Sequence, residues 1–190
     1  MSPANTPTLQ VRDWPLAYVD RLALREPAAI DLAVIHCTEL PDLAAARAYG
    51  ERVVHPSGSG NSGHYYIDRD GSVHRFVVAT RVAHHVRGFN ERALGIELVN
   101  HGRWPHWLDS HCQTMTEPYP DAQVEALCAL LQQLRAELPA LRQIAGHADL
   151  DTGTVQASDD AARTVHRKLD PGPLFPWSAV LARVGLQRLR

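Results

Sequence analysis

Several apolar stretches of this chain end in, or carry, residues able to do metal or acid–base chemistry. His36 follows Ala33-Val34-Ile35 and His147 follows Ile144-Ala145-Gly146. Glu97 lies within Gly95-Ile96-Glu97-Leu98, and Asp170 precedes Pro171-Gly172-Pro173. Residues at the ends of apolar strands are fixed by the scaffold and face a common rim. Two imidazoles and one carboxylate give three protein ligands and one open position, the ligand count of a hydrolytic zinc site. Zinc brings the pKa of its water toward about 7. A neighbouring carboxylate can take the proton of that water, and a cation can stabilise the oxyanion that follows. In that reading His36, His147 and Asp170 hold the metal, Glu97 is the base and Lys168 the cation. Spacing alone does not force it, because these residues contain no His-x-x-x-His or Cys-x-x-Cys pair. The competing reading makes His36 and His147 satisfied strand-end histidines, with Glu97 and Asp170 in structural hydrogen bonds.

These residues need elements to hold them. Residues 29–37 are short, apolar and β-branched near their end, which predicts a buried strand. Asp42 stands where it can cap a helix over 43–53, and residues 56–63 form a loop by composition. Segments 64–68 and 72–78 flank Arg69-Asp70-Gly71, a hairpin signal. Residues 94–99 predict a second buried strand, and 101–120 an irregular segment rich in His, Trp and Pro. Asp121 is expected to cap a helix to about residue 138. Its Val124, Leu127, Cys128, Leu131, Leu134 and Leu138 share one face. Residues 141–145 lead as a strand into Gly146-His147. Residues 151–167 are a polar insertion, and 176–189 a terminal helix. The expected fold class is α/β (mixed α+β), a single domain with a central mixed β-sheet flanked by helices and a cleft at the strand ends. Residues 1–28 form a lead-in, 29–177 the main domain with the insertion 151–167, and 178–190 a C-terminal helix packed on the same domain.

The 190 residues suffice for one sizeable core. With 45% hydrophobic and 21% charged residues the balance is that of a soluble globular chain. A formal net charge of −2 provides no global basic field, so neither nucleic acid nor a membrane surface is an expected partner. Residues 1–11 lack a basic region followed by an apolar stretch, so a cytoplasmic location is expected, with export the alternative if a leader has been removed. Cys37, Cys112 and Cys128 are an odd count and predict reduced thiols rather than a disulfide framework. A monomer is expected.

The words VIHCTE, HYYIDRDGSVHRFV, LGIELVN, AGHADLD and RKLDPGPLFPW stand in an order similar to that of the type-2 N-acetylmuramoyl-L-alanine amidases. This family includes the AmpD-type recycling amidases and the peptidoglycan recognition proteins. The resemblance runs from about Ala29 to Trp177. It implies a mixed sheet flanked by helices, one zinc ion per chain on His36, His147 and Asp170, Glu97 as proton shuttle and Lys168 as transition-state stabiliser. It also implies hydrolysis of the amide between the lactyl group of N-acetylmuramic acid and L-alanine. With no leader in view, 1,6-anhydro-muropeptides in bacterial cell-wall recycling are the expected substrate. Intact peptidoglycan is the alternative, and a non-catalytic peptidoglycan-binding module the rival from another class. Some non-catalytic relatives lack a metal-binding residue at the third position, where this chain has Asp170. A closed structural zinc site is disfavoured because it wants four protein ligands.

This chain departs from the family at His84-His85-Val86-Arg87-Gly88, where Trp-His-Ala-Gly is common. His85 matches the family histidine that lines the cleft, and His84 replaces its aromatic neighbour. His85, Asn100 and Tyr66 are the candidate substrate contacts, Asn100 being equally suited to a turn. Tyr65 and Tyr66 face opposite sides of a regular strand, one to the core and one to the cleft. His64 reads as a packed structural residue, and Cys37 as core. His101, His106, His111 and Cys112 match no metal-ligand spacing. Trp104 and Trp107 either stack on sugar or pin the irregular segment.

Overall fold

A computed structural model describes residues 9–190. The first eight residues of the expected lead-in lie outside the described residues. Nine strands and four α-helices are found among the described residues: β1 (Val11–Asp13), β2 (Leu32–Cys37), α1 (Leu43–Gly50), β3 (Tyr65–Ile67), β4 (Val73–Arg75), β5 (Ala93–Leu98), α2 (Asp121–Glu137), β6 (Gln143–Gly146), α3 (His147–Leu150), β7 (Thr154–Gln156), β8 (Thr164–His166), α4 (Trp177–Val184) and β9 (Gln187–Arg188). Seven strands form one sheet in the order β1-β4-β3-β5-β2-β6-β9. Only the β3–β4 pair within it is antiparallel. The expected mixed sheet with helices is therefore observed.

Strand alternation divides the sheet into two faces. Ala33 and Ile35 of β2, with Leu94, Ile96 and Leu98 of β5, pack in one cluster with Leu127, Leu130, Leu131 and Leu134 of α2. Leu32 and Val34 face the other way, against Val86, Ala93 and Ala145. The 3–4 spacing of α2 thus buries the stripe read from the sequence. Gln123 interrupts that apolar face, yet it is fully buried. Its side-chain amide donates to the carbonyls of Ile67 (2.9 Å) and Val99 (3.1 Å), stitching α2 to the ends of β3 and β5.

The hairpin β3–β4 pairs Ile67 with Val73, and the Asp68 N–H donates to Ser72 O across the turn. Asp42 caps α1 by accepting from the Ala45 N–H at 2.7 Å. Asp121 does not cap α2: it is the first helical residue, and Pro120 occupies the cap position without a side-chain bond. A proline is tolerated there because the first helical amides have no partner inside the helix.

The described part of the lead-in joins the fold. β1 adds an edge strand beside β4, and Leu16, Tyr18 and Leu22 join a buried cluster with Ala46, Tyr66 and Phe76. The terminal helix is shorter than expected. It stops at Val184 because Gly185 adopts a left-handed φ of 62°, and Gln187–Arg188 then pair with β6 as an edge strand. That conformation suits glycine, which has no Cβ to clash.

The insertion 151–167 forms the antiparallel β7–β8 hairpin. It is strapped to the irregular segment: Ser110 donates twice to Asp159 (2.7 Å each), and Ser158 N–H donates to Leu108 O at 2.8 Å. Arg103 ties both to the end of β2. It grips Glu39 through Nε (2.7 Å) and Nη2 (2.8 Å), and its Nη1 donates to Gln113 (3.0 Å) and His166 O (3.0 Å). Glu39 holds a left-handed φ of 50° there, uncommon for a residue with a side chain.

Leu131→Ala opens the fully buried α2 face and is expected to cost about 2–5 kcal/mol. Urea unfolding measures it, and a loss below about 0.5 kcal/mol contradicts a core position. Arg103→Ala leaves Glu39 buried without its cation and is expected to cost about 3–5 kcal/mol. The same assay would show no such loss if the pair were a solvated surface contact.

Candidate metal and active site

Register brings the chemical residues together. His36 of β2 pairs with Glu97 of β5, and Glu97 pairs with Tyr66 of β3. Residues on one rung face the same side, so these three side chains stand in a row on the face away from α2. Ile35 pairs with Gly146. His147 therefore starts α3 just past the end of β6, beside His36. The 167–170 segment leaves β8 and brings Lys168 and Asp170 to the same place. The carbonyl of Asp170 accepts from Ala148 N–H at 2.9 Å, which docks this segment on α3.

Asp170 Oδ2 lies 3.0 Å from His36 Nδ1 and 3.1 Å from His147 Nδ1. All three residues are buried, and their candidate ligand atoms lie within 4.8 Å of one another. Burial, helped by the charge of His147, pushes the His36 pKa down to about 4. Its neutral imidazole keeps a lone pair for a metal at physiological pH. Burial opposes the charge on Asp170, but contacts with His147 and His36 hold its carboxyl well below the usual range. Asp170 Oδ1 is buried without any hydrogen-bond partner. An ionised carboxylate with a buried, unpartnered oxygen lacks compensation on that side. A divalent cation would supply it, and two nitrogens plus one oxygen suit zinc. The residues present fit the metal.

The three residues line a cleft of about 660 Å³ with Glu97, Lys168, Tyr66 and His85. Burial and the charge of Asp170 raise the Glu97 pKa to about 8, against the opposing pull of the Lys168 ammonium. A cation on Asp170 would offset that charge and favour the Glu97 carboxylate. A carboxyl tuned toward neutrality is suited to taking and returning a proton.

Tyr66 lines the cleft and Tyr65 lies in the α2-side core, as alternation predicts. The Tyr66 hydroxyl accepts from Gly63 N–H at 3.2 Å and its ring stacks on Phe76. Asn100 is not brought into the cleft. It is buried, its amide nitrogen donates to Glu117 O (3.1 Å), and its oxygen accepts from Gly102 N–H (2.9 Å). These are the bonds of its turn reading. His85 is at the cleft but its ring nitrogens face His36 Nε2 (3.0 Å) and Ala93 O (3.4 Å). His64 is fully buried, accepting from Gly95 N–H at 3.0 Å. Trp107 lines the cleft wall with its indole N–H donated to Glu39 O at 2.9 Å; Trp104 stands outside the lining. His84 lines the cleft with His55, their ring centres 4.5 Å apart. Sequence reasoning passed over Glu39, Arg103 and Arg87 on this wall. Glu39 lies within the VIHCTE word, but Arg103 meets it across 64 residues, and no periodic signal marks such a pair.

Comparison with known proteins agrees with this geometry. Residues 26–173 match the family described as N-acetylmuramoyl-L-alanine amidase. The chain is 33% identical over 121 residues to the 1,6-anhydro-N-acetylmuramyl-L-alanine amidase AmpD of Enterobacter cloacae, covering 59% of this chain and 51% of the relative. It thus spans about half the length of that relative. A solved AmpD derivative superposes with a TM-score of 0.64 at 24% identity, covering 94% of this chain and 96% of that one. The amidase AmiD from E. coli, solved with the substrate anhydro-N-acetylmuramic acid-L-Ala-D-gamma-Glu-L-Lys, superposes with a TM-score of 0.61 at 25% identity, covering 84% of this chain and 58% of that one. Matched over most of its length, this chain belongs to the N-acetylmuramoyl-L-alanine amidase family.

Proposed function

We propose that the protein is a zinc-dependent N-acetylmuramoyl-L-alanine amidase, cleaving the amide between the lactyl group of N-acetylmuramic acid and L-alanine. The observation that carries this reading is the buried convergence of His36, His147 and Asp170 beside Glu97 and Lys168 in one cleft. The relatives named for 1,6-anhydro-muramyl amides support soluble anhydro-muropeptides as substrate. In this reading the enzyme works in the cytoplasm as a monomer. Among the described residues no helix is long and apolar enough to cross a membrane.

Zinc held by His36, His147 and Asp170 would supply Lewis acidity to a water and to the amide carbonyl. Glu97 accepts the proton of the attacking water as its oxygen bonds to the lactyl carbonyl carbon. The Lys168 ammonium faces the oxygen on which negative charge gathers. Glu97 then returns the proton to the departing nitrogen, the C–N bond breaks, and a lactyl carboxylate and a peptide amine result. Tyr66, Trp107 and His84 stand on the walls where a substrate is oriented.

The direct test incubates zinc-loaded protein with a soluble anhydro-muropeptide and, separately, with purified sacculi, reading products by mass spectrometry. Release of an L-alanine-terminated peptide from the soluble fragment is expected. Release from sacculi alone moves the substrate to intact wall, and release from neither leaves a binding module. Asp170→Ala is expected to lose zinc and turnover while circular dichroism stays unchanged; undiminished turnover removes Asp170 as a ligand. Glu97→Gln is expected to keep zinc and lose about 10²–10⁴-fold in kcat. Full activity in that variant rules out Glu97 as the proton carrier.

A further inference from the structure

We propose that His85 is a positioning residue for the metal site: with the backbone carbonyl of Ala93 it forms a hydrogen-bond relay that fixes the tautomer and ring orientation of His36. This rests on the zinc reading above. His85 Nε2 lies 3.4 Å from Ala93 O. A carbonyl oxygen only accepts, so this nitrogen carries the hydrogen. The lone pair of His85 is then on Nδ1, which lies 3.0 Å from His36 Nε2. His36 Nε2–H therefore donates, and the lone pair of His36 is left on Nδ1. That atom faces Asp170 Oδ2 at 3.0 Å. The opposite assignment sets a lone pair of His85 against the Ala93 carbonyl. A hydrogen on His36 Nδ1 would close the contact to Asp170 as a donated bond, whereas a lone pair there leaves the two atoms to be joined by a cation. The relay thus presents His36 in the one tautomer that can ligate beside Asp170. Outer partners of this kind fix the orientation and raise the basicity of a ligating imidazole.

The packing around His85 serves the same end. Its ring lies edge-on to His36, with centroids 5.1 Å apart. It rests directly on β5 at Gly95, where an added Cβ would stand 2.7 Å from the ring's Cγ and 2.8 Å from Nδ1. Only glycine at this rung lets the imidazole sit so low. Asn90 Oδ1 accepts from the N–H groups of His85 (3.0 Å) and Val86 (2.8 Å), pinning the main chain. The His64 ring stands edge-on behind His85 at 5.5 Å. His64 is itself fixed by Gly95 N–H at Nδ1 and by Arg81 O, 3.0 Å from Nε2. With both ring nitrogens engaged, His85 has none left for the substrate contact expected from the sequence.

The test compares wild type with His85→Phe, His85→Gln and Gly95→Ala. Zinc dissociation constants come from competition with a chromogenic chelator, and ring tautomers from ¹H–¹⁵N spectra of the zinc-loaded protein. Wild type is expected to show His85 as the Nε2–H tautomer and a slowly exchanging His36 Nε2–H. His85→Phe fills the space without an acceptor, and Gly95→Ala dislodges the ring; each is expected to weaken zinc binding about 10–100-fold. Glutamine keeps a carbonyl acceptor and is expected to recover most of that loss, which a purely structural role of the ring would not predict. An Nδ1–H tautomer of His85 in wild type, or unaltered zinc affinity in His85→Phe, overturns the relay alone. Failure of the wild type to take up zinc overturns the metal reading beneath it. The wild-type tautomer needs no variant, so a misfolded substitution does not block the test.

Discussion

The site depends on strand register. His36, Glu97 and Tyr66 lie on successive strands of one sheet and on a single rung. A slip of one residue in the β2–β5 pairing would turn Glu97 into the α2 core and put Ile96 or Leu98 beside His36. What prevents the slip is the hydrophobic partition of the two faces. Ala33, Ile35, Leu94, Ile96 and Leu98 are all committed to the α2 side. The opposite face carries Leu32 and Val34 near the strand starts, packed on Val86, Ala93 and Ala145, and the chemical residues toward the strand ends. The core that stabilises the sheet is therefore also the device that aims the site.

Charge balance is the second constraint. Glu39, Glu97 and Asp170 meet in one largely buried region. Each is managed differently. Glu39 is neutralised by a bidentate arginine. Asp170 faces two imidazole nitrogens and carries an oxygen with no partner. Glu97 has only the cation of Lys168 to offset its neighbours, and its pKa rises. A buried acid that is fully paired serves structure, one held ionised by imidazoles with an oxygen to spare suits a cation, and one with little to offset its charge retains a proton equilibrium near neutrality. The three carboxylates separate along that line.

Much of this was legible in the sequence because it is local. The strands that lead to His36 and His147 announce themselves as short apolar runs, Arg69-Asp70-Gly71 marks its hairpin, and α2 carries its period over many residues. The elements that escaped are short and edge-lying. β1, β7, β8 and β9 have three residues or fewer, too few for a periodic pattern. Their pairing is decided by distant partners, as when Gln187–Arg188 find β6. At the site, ligand types could be read from residues, but the commitment of Asn100 to Glu117 O and of His85 to Ala93 O could not. Those bonds depend on backbone atoms, which carry no letter in the sequence.

The β7–β8 hairpin and the segment 101–120 share their polar partners across Ser110–Asp159, Ser158–Leu108 and Arg103–His166. Removing residues from either one would strand donors and acceptors on the other. A change of length in one loop therefore disturbs the contacts of the other. The 101–120 segment carries one wall of the cleft through Arg103, Trp107 and Leu108, and the hairpin is strapped to it, so the breadth of the cleft is set by the two loops as a pair.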